Sequence, residues 1–230
     1  HLLWEGGAVI GTGASPGPLV IAPGATAVMD APTRILDKRT LRIEGDAQWL
    51  GSSMRVPMNS AGRLMVAAGG SLTLDTFKST ASFGCVADPC IAEVEIAGEL
   101  RMIGGGGSFA TSTPLLLSGG VLHVEQHDFA TADLVVSAGT VEVMAPGTLT
   151  ATTVVLNGGE LRGTGSVAAA VSNVGGQMRP GASPGTLSIV GSYTQGAAGF
   201  LNIEVGGPTA GTNADLLSVS GSASIAGTVN

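Results

Sequence analysis

Val94, Ile96, Leu100 and Met102 alternate with Glu93, Glu95, Glu99 and Arg101. Leu122 and Val124 alternate with His123 and Glu125, and Leu201, Ile203 and Val205 with Asn202 and Glu204. A period of two belongs to a strand with one face turned inward and the other to water. No stretch holds a 3.6-residue period for three turns, so the prediction is strands only.

The alternation recurs in units. Each unit reads apolar-x-apolar, one or two small residues, glycine, then apolar-x-apolar again, as at 42–49, 66–74, 94–102, 116–124, 135–143 and 155–163. Looser copies lie at 21–29, 171–178, 188–194 and 218–225. The glycines at 24, 45, 69, 98, 119, 139, 158, 175, 191 and 221 follow one another at intervals of 21, 24, 29, 21, 20, 19, 17, 16 and 30 residues. A strand-only repeat near 20 residues fits one coil of a single-stranded parallel β-helix, each coil stacked on the next at about 4.8 Å. The leucine-rich repeat has a similar period, but its L-x-x-L-x-L-x-x-N signature is missing. A hairpin sandwich is the other all-β alternative. The expected organisation is one array over 1–230, of about ten coils. Residues 1–18 are expected as an N-terminal cap or partial coil, 79–92 as a loop insertion, and 195–216 as an insertion whose extra strand is 200–205. The tube is expected to be narrow: Val, Leu, Ile and Ala fit, whereas Phe and Trp would crowd it.

Composition agrees. Glycine accounts for 37 of 230 residues and aromatics for only 3%, against a usual glycine share of about 7%. At 44% hydrophobic residues the chain is not a disordered one. The net charge is −7. Seven of the ten basic residues precede residue 79, and no Lys/Arg cluster is fit to track a phosphate backbone, so nucleic acid is not an expected partner. No run of 18 apolar residues is present, so no membrane span is expected. The chain starts at His1 without a signal peptide and reads as a mature or excised piece of a longer protein.

Cys85 and Cys90 enclose four residues including Pro89. That spacing suits a small-loop disulfide if the Cα atoms approach to about 5.5 Å, which implies an oxidising, extracytoplasmic setting. Zinc needs about four ligands and no His or Cys lies near in sequence; a redox pair is normally C-x-x-C. The pentapeptide Gly-Ala-Ser-Pro-Gly occurs at 13–17 and at 181–185 and matches the nucleophile-elbow pattern G-x-S-x-G. An elbow draws an oxyanion donor from the N–H of the residue after Ser, and a proline there has none. Both copies read as turns.

The C-terminal third carries Gly-Gly-x-Leu-x-Gly-Thr-Gly (158–165), Pro-Gly-x-Ser-Pro-Gly-Thr-Leu (180–187), Tyr193-Thr194-Gln195, Leu-x-Ile-Glu-Val-Gly-Gly (201–207) and Gly-Thr-x-x-Asp-x-Leu-x-Val-x-Gly (211–221). Together these resemble a recurring C-terminal region of autotransporter-type passenger domains and related bacterial surface β-helix proteins. The resemblance covers 155–230 well and is generic over 19–150. It implies a right-handed parallel β-helix on a bacterial cell surface, outer-membrane-associated or secreted, serving as a stalk or adhesive scaffold.

If the coils register on their glycines, the outward residues Thr73, Arg101, His123, Glu142, Arg162 and Arg179 stack into one strip. Arg101, His123, Glu142, Arg162 and Arg179 are the candidate ligand-binding residues, with an acidic glycan or a host or matrix protein as partner; a solvated ladder is the plain alternative. Self-association is a further expected contact. The acidic stretch Glu93, Glu95, Glu99, Glu125, Asp128 and Asp133 carries no calcium-loop motif. No metal ligand, cofactor or catalytic residue is assigned. A carbohydrate-active enzyme would draw on Arg34, Asp37, Lys38, Arg39, Arg42 and Glu44, a cluster that also suits an end cap. Asp215 is expected to cap a turn. A non-catalytic adhesive scaffold is the main functional expectation, beside a polysaccharide-acting enzyme and a passive stalk.

Overall fold

The computed structural model describes residues 2–4, 7–10, 17–30, 33–50, 53–56, 61–75, 81–85, 91–103 and 108–230. These contain strands and turns and no helix. The strands are short, two to nine residues, and they pair with strands one coil away, in parallel. The pairings define three faces of a parallel β-helix. Face A stacks eleven strands, from Leu2–Trp4 through Val121–Val124, Thr140–Val143 and Glu160–Gly163 to Thr228–Val229. Face B includes Ala81–Cys85, Phe109–Thr111 and Asp128–Ala130. Face C includes Ile91–Ile96, Leu115–Leu117 and Asp133–Val136. Thr148–Leu156 and Ser166–Asn173 each run through the corner from face B to face C, with a register shift between Thr150 and Thr153.

Alternation decides which side chains go inside. In Val121–Val124, Thr140–Val143 and Thr186–Ile189 every second residue is buried. The inward residues form columns along the tube: Leu72, Leu100, Leu122, Val141, Leu161 and Met178 on face A, and Leu115, Leu134, Val154 and Val171 on face C. Burying each such side chain contributes about 1.5–3 kcal/mol, and these columns are the core.

The interior is less selective than its expected width implied. Trp49, Tyr193, Phe83, Phe109 and Phe129 are all fully enclosed. Size compensates between neighbouring rungs: Phe109 lies over Ala81 and Phe83 beside Thr111. Rings also stack along the axis. Phe109 and Phe129 are 5.0 Å apart and 29° from parallel, and Trp49 meets Phe109 edge-on at 6.2 Å. A stacked pair matches the rise per coil, so planar side chains fit the tube when they lie across it.

Glycines form the corner between faces C and A. Val121 N–H donates to Gly98 O, Thr140 N–H to Gly120 O and Glu160 N–H to Gly139 O, each at 2.9 Å. Gly120 has φ +60°, and a Cβ there would sit 1.8 Å from Gly98 O. Only glycine permits this contact.

Two of the expected boundaries are corrected, those of 79–92 and of 200–205. Leu2–Trp4 and Gly7–Ile10 pair as rungs with Thr26–Met29 and Thr33–Asp37, so the described part of 1–18 takes the partial-coil form of the two expected there. Thr33–Asp37 itself lies between rungs on both sides, which removes the end-cap reading of the Asp37–Arg39 cluster. Ala81–Cys85 and Ile91–Ile96 are regular strands of faces B and C, so 81–85 and 91–92 are rungs rather than loop; 79–80 and 86–90 lie outside the described residues. Near the C-terminus, the expected strand 200–205 is only Phe200–Leu201, the face A rung of its coil. Val205 is 76% exposed. The chain leaves the stack after Ile203, since Asn202 N–H still donates to Met178 O and Ile203 N–H to Asn230 O, and returns at Leu216; between them its backbone bonds turn local, Gly206 N–H donating to Asn213 O and Asp215 N–H to Glu204 O.

A polar plug fills the tube beneath that insertion. Tyr193 O–H donates to Gln195 Oε1 at 2.8 Å, and Gln195 Nε2 donates to Ala226 O and Thr228 O. Asn173 Nδ2 donates to Phe200 O, and its Oδ1 accepts Gly176 N–H. Burial pushes the Tyr193 phenol above its ordinary pKa, and the Asn173 hydrogen bond partly offsets this.

Candidate functional site

The outward residues of face A stack in the expected strip. Thr73 lies beside Arg101, Arg101 beside His123, His123 beside Glu142, Glu142 beside Arg162 and Arg162 beside Arg179. Two residues earlier on each rung runs a second outward column, which includes Glu99 and Glu160.

The two columns are joined by ion pairs. Arg101 Nε is 3.3 Å from Glu99 Oε1. His123 Nε2 lies 3.5 Å from the same oxygen, and His123 Nδ1 is 2.9 Å from Glu142 Oε2 and 3.6 Å from Glu125 Oε1. Arg162 donates to Glu142 Oε1 from Nε at 3.1 Å and from Nη2 at 2.9 Å. Arg179 Nη1 stands 3.5 Å from Glu160 Oε1. The arginine side chains are more than 40% exposed, whereas His123 and Glu142 are at 13% and 20%. Exposed pairs of this kind contribute about 0–1 kcal/mol each, so the strip is not what holds the coils together.

Glu99, Glu125 and Glu160 are the residues beside the strip that sequence reasoning did not group with it. Glu99 and Glu125 fall in the expected acidic stretch, and the structure disperses that stretch. Glu93 and Glu95 pair with Arg63 on face C, Asp133 accepts the Thr153 hydroxyl and N–H, and only Glu99 and Glu125 meet His123. For Glu99 the signal was available: Glu99-x-Arg101 is an i, i+2 pair within one strand, so the two share a side.

Two concavities flank the strip. One of about 360 Å³ is bordered by Glu160, Arg162, Arg179, Ser183, Glu204 and Asp215. It exists because the 204–215 insertion folds back beside the strip. The other, of about 650 Å³, is bordered by Glu125, His127, Glu142, Met144 and Pro146.

The Ser183 copy of the pentapeptide opens onto the first concavity as a turn between Gln177–Pro180 and Thr186–Ile189. A strand, not a helix, follows it. Ser183 has φ +69°, Pro184 offers no N–H, and the Gly185 N–H is already donated to Asp215 Oδ1 at 3.0 Å. Asp215 Oδ2 accepts Glu204 N–H at 2.9 Å. Asp215 is therefore a turn cap that ties the insertion to the coil. The residues of the first copy before Gly17 lie outside the described ones.

Arg42 pairs with Glu44, Arg39 donates to Gly17 O, and Lys38 and Arg39 border a separate hollow of about 240 Å³ with Arg63 and Glu93. His127 lies in a corner and Asp128 begins the next strand. Cys85 ends a face B strand and is not a free thiol; Cys90 lies outside the described residues.

Fold and site together define a parallel β-helix with a charge-paired ladder along one face. Comparison with protein-family models, curated proteins and solved structures found no match to this chain. No helix among the described residues is long and apolar enough to cross a membrane.

Proposed function

We propose that this chain is a non-catalytic adhesive scaffold, part of a bacterial surface or secreted protein, and that face A is its binding surface. The observation that carries the reading is the unbroken register of Thr73, Arg101, His123, Glu142, Arg162 and Arg179 across successive coils. Such a ladder offers charge at a fixed spacing of about 4.8 Å, a repeat suited to an extended partner such as an acidic glycan or a matrix protein strand. The half-exposed arginines give it donors, and screening by salt tunes it.

The enzyme alternative needs an acid or base free to act on substrate. In the concavity beside the strip, Glu142 is engaged by Arg162 and His123, Glu160 by Arg179 and Asp215 by two backbone N–H groups. Three of the four acids that border the concavity are thus engaged, Glu204 on the insertion being the fourth, and this balance favours the scaffold. The right-handed sense, the autotransporter-type kinship and the extracellular setting are part of this proposal and rest on the C-terminal motifs. So does a Cys85–Cys90 disulfide, which alkylation with and without prior reduction would test.

The function is tested by incubating the purified chain with a glycan and matrix-protein array at low and physiological salt. Binding that weakens with salt and is reduced in an Arg101→Gln/Arg162→Gln variant is the expected result. Silence across the array would replace adhesion by the passive-stalk reading.

A further inference from the structure

We propose that His123, Glu125 and Glu142 form a binding site for a zinc-class divalent transition-metal ion, a role beyond the adhesive one. One ligand atom from each residue lies within 4.8 Å of the other two. The site is built by the coil repeat: His123 and Glu142 are register partners on adjacent rungs, and Glu125 follows His123 by two residues, at the corner.

The distances fit a metal. Ligand bonds of about 2.0–2.1 Å in a tetrahedron place donor atoms about 3.3 Å apart. His123 Nδ1 lies 2.9 Å from Glu142 Oε2 and 3.6 Å from Glu125 Oε1, values that bracket this edge. Small side-chain rotations would open the ion's place between them.

The surrounding groups are independent support. Ligating imidazoles hand their second nitrogen to a carboxylate or carbonyl, and ligating carboxylates are themselves held. His123 Nε2 faces Glu99 Oε1 at 3.5 Å, which leaves Nδ1 directed at the two glutamates. Glu142 Oε1 is held by Arg162 Nε and Nη2, which leaves Oε2 directed at the imidazole. His123 and Glu142 each have one polar atom occupied by an outer partner and the other turned inward to the common point, and Glu125 Oε1 approaches it from the corner. Beyond that point lies the 650 Å³ concavity bordered by Glu125, Glu142 and His127, so a fourth position faces open space.

The ligand chemistry selects the ion. One imidazole and two carboxylates suit zinc and its neighbours. Calcium takes six to eight oxygens, more than this side of the corner supplies. Electrostatics agree: Glu99, Glu125 and Glu142 surround one imidazole, and with Arg101 on Glu99 and Arg162 on Glu142 the surroundings stay net acidic, which favours a cation.

The test is calorimetric titration of zinc chloride into chelator-treated protein, repeated with calcium chloride. One zinc per chain is expected, with calcium failing to compete at tenfold excess. His123→Ala and Glu142→Gln should each weaken binding by about 100-fold or more, and Glu99→Gln, an outer partner, by about tenfold. Cobalt(II) should show tetrahedral visible absorption that disappears in His123→Ala. Circular dichroism checks the fold of each variant, and Glu125→Gln, on the corner, serves if His123→Ala does not fold. No saturable zinc binding below about millimolar concentration, or binding of unchanged affinity in the His123 and Glu125 variants, would overturn the proposal. Because glycan binding is scored separately, a metal-free adhesin and a zinc-binding non-adhesin give different outcomes.

Discussion

Asp215 is almost fully buried and accepts two backbone N–H groups from different segments, Gly185 at 3.0 Å and Glu204 at 2.9 Å. Hydrogen bonds to a charged group contribute about 1.5–3 kcal/mol each. Asp215→Ala abandons both and leaves two covered N–H groups without acceptors, so a loss of at least about 3 kcal/mol is expected. Asp215→Asn keeps one acceptor oxygen and should cost about half as much. Gly181 provides an independent approach to the same carboxylate, because a Cβ at Gly181 would fall 2.1 Å from Asp215 Oδ1. Gly181→Ala therefore displaces the bond as well as straining a backbone at φ +92°. The Gly181→Ala/Asp215→Ala double variant should then be less destabilised than the sum of the singles, by about 1 kcal/mol or more. Urea unfolding measures the totals, and amide hydrogen exchange at Gly185 and Glu204 reads the lock directly. Equal losses for Asn and Ala at 215, or additivity within about 0.5 kcal/mol, would refute the assignment of the turn to this carboxylate.

Other expectations follow from the core and the corners. Phe129→Ala removes one ring of the Phe109 stack from a fully enclosed site and should cost about 3–5 kcal/mol in chemical denaturation. Gly120→Ala should cost at least about 2 kcal/mol, since its Cβ would overlap Gly98 O at positive φ. Gly119→Ala, whose nearest contact would be 3.3 Å, should cost well under half of that. Tyr193 is the sole tyrosine, so its ionisation is readable by absorbance. Its folded pKa is raised above the unfolded value near 10, so the native state holds the proton more tightly. Its contribution is complete below pH 10 and is lost as pH rises from 10 towards the folded pKa, at up to about 1.4 kcal/mol per pH unit. Tyr193→Phe should flatten this alkaline slope while losing the bond to Gln195; an unchanged slope would show that another group sets it.

The coil and its strip were legible because glycine position and a period of two are both local. Counting three or four residues onward from Gly98, Gly119, Gly139 and Gly158 reaches Arg101, His123, Glu142 and Arg162, which the backbone ladder then aligns. What was not legible depended on contacts between coils. The aromatic interior required Ala81 and Thr111 to fall beside Phe109 and Phe83, a pairing of sizes that no single repeat reveals. The strand 200–205 failed because the alternation of Leu201 and Ile203 continues into Val205 after the chain has left the stack beyond Ile203. Local pattern records the habit of a segment, and only the neighbouring coil decides whether it is paired. Glu125 was missed as a partner of His123 for a related reason: it lies beyond the strand end, where its side chain's direction is set by the corner.

The backbone hydrogen bonds of this fold point along the tube, from each coil to the next. Tension between the chain ends would therefore load them one coil at a time, because each coil touches only its neighbours. A released coil of about 20 residues would extend by some 65–70 Å, against the 4.8 Å or so it occupies in the stack. Cross-rung pairs such as Glu142–Arg162 would act as small latches between steps. A chain built this way would yield to a pull by releasing length in increments rather than all at once.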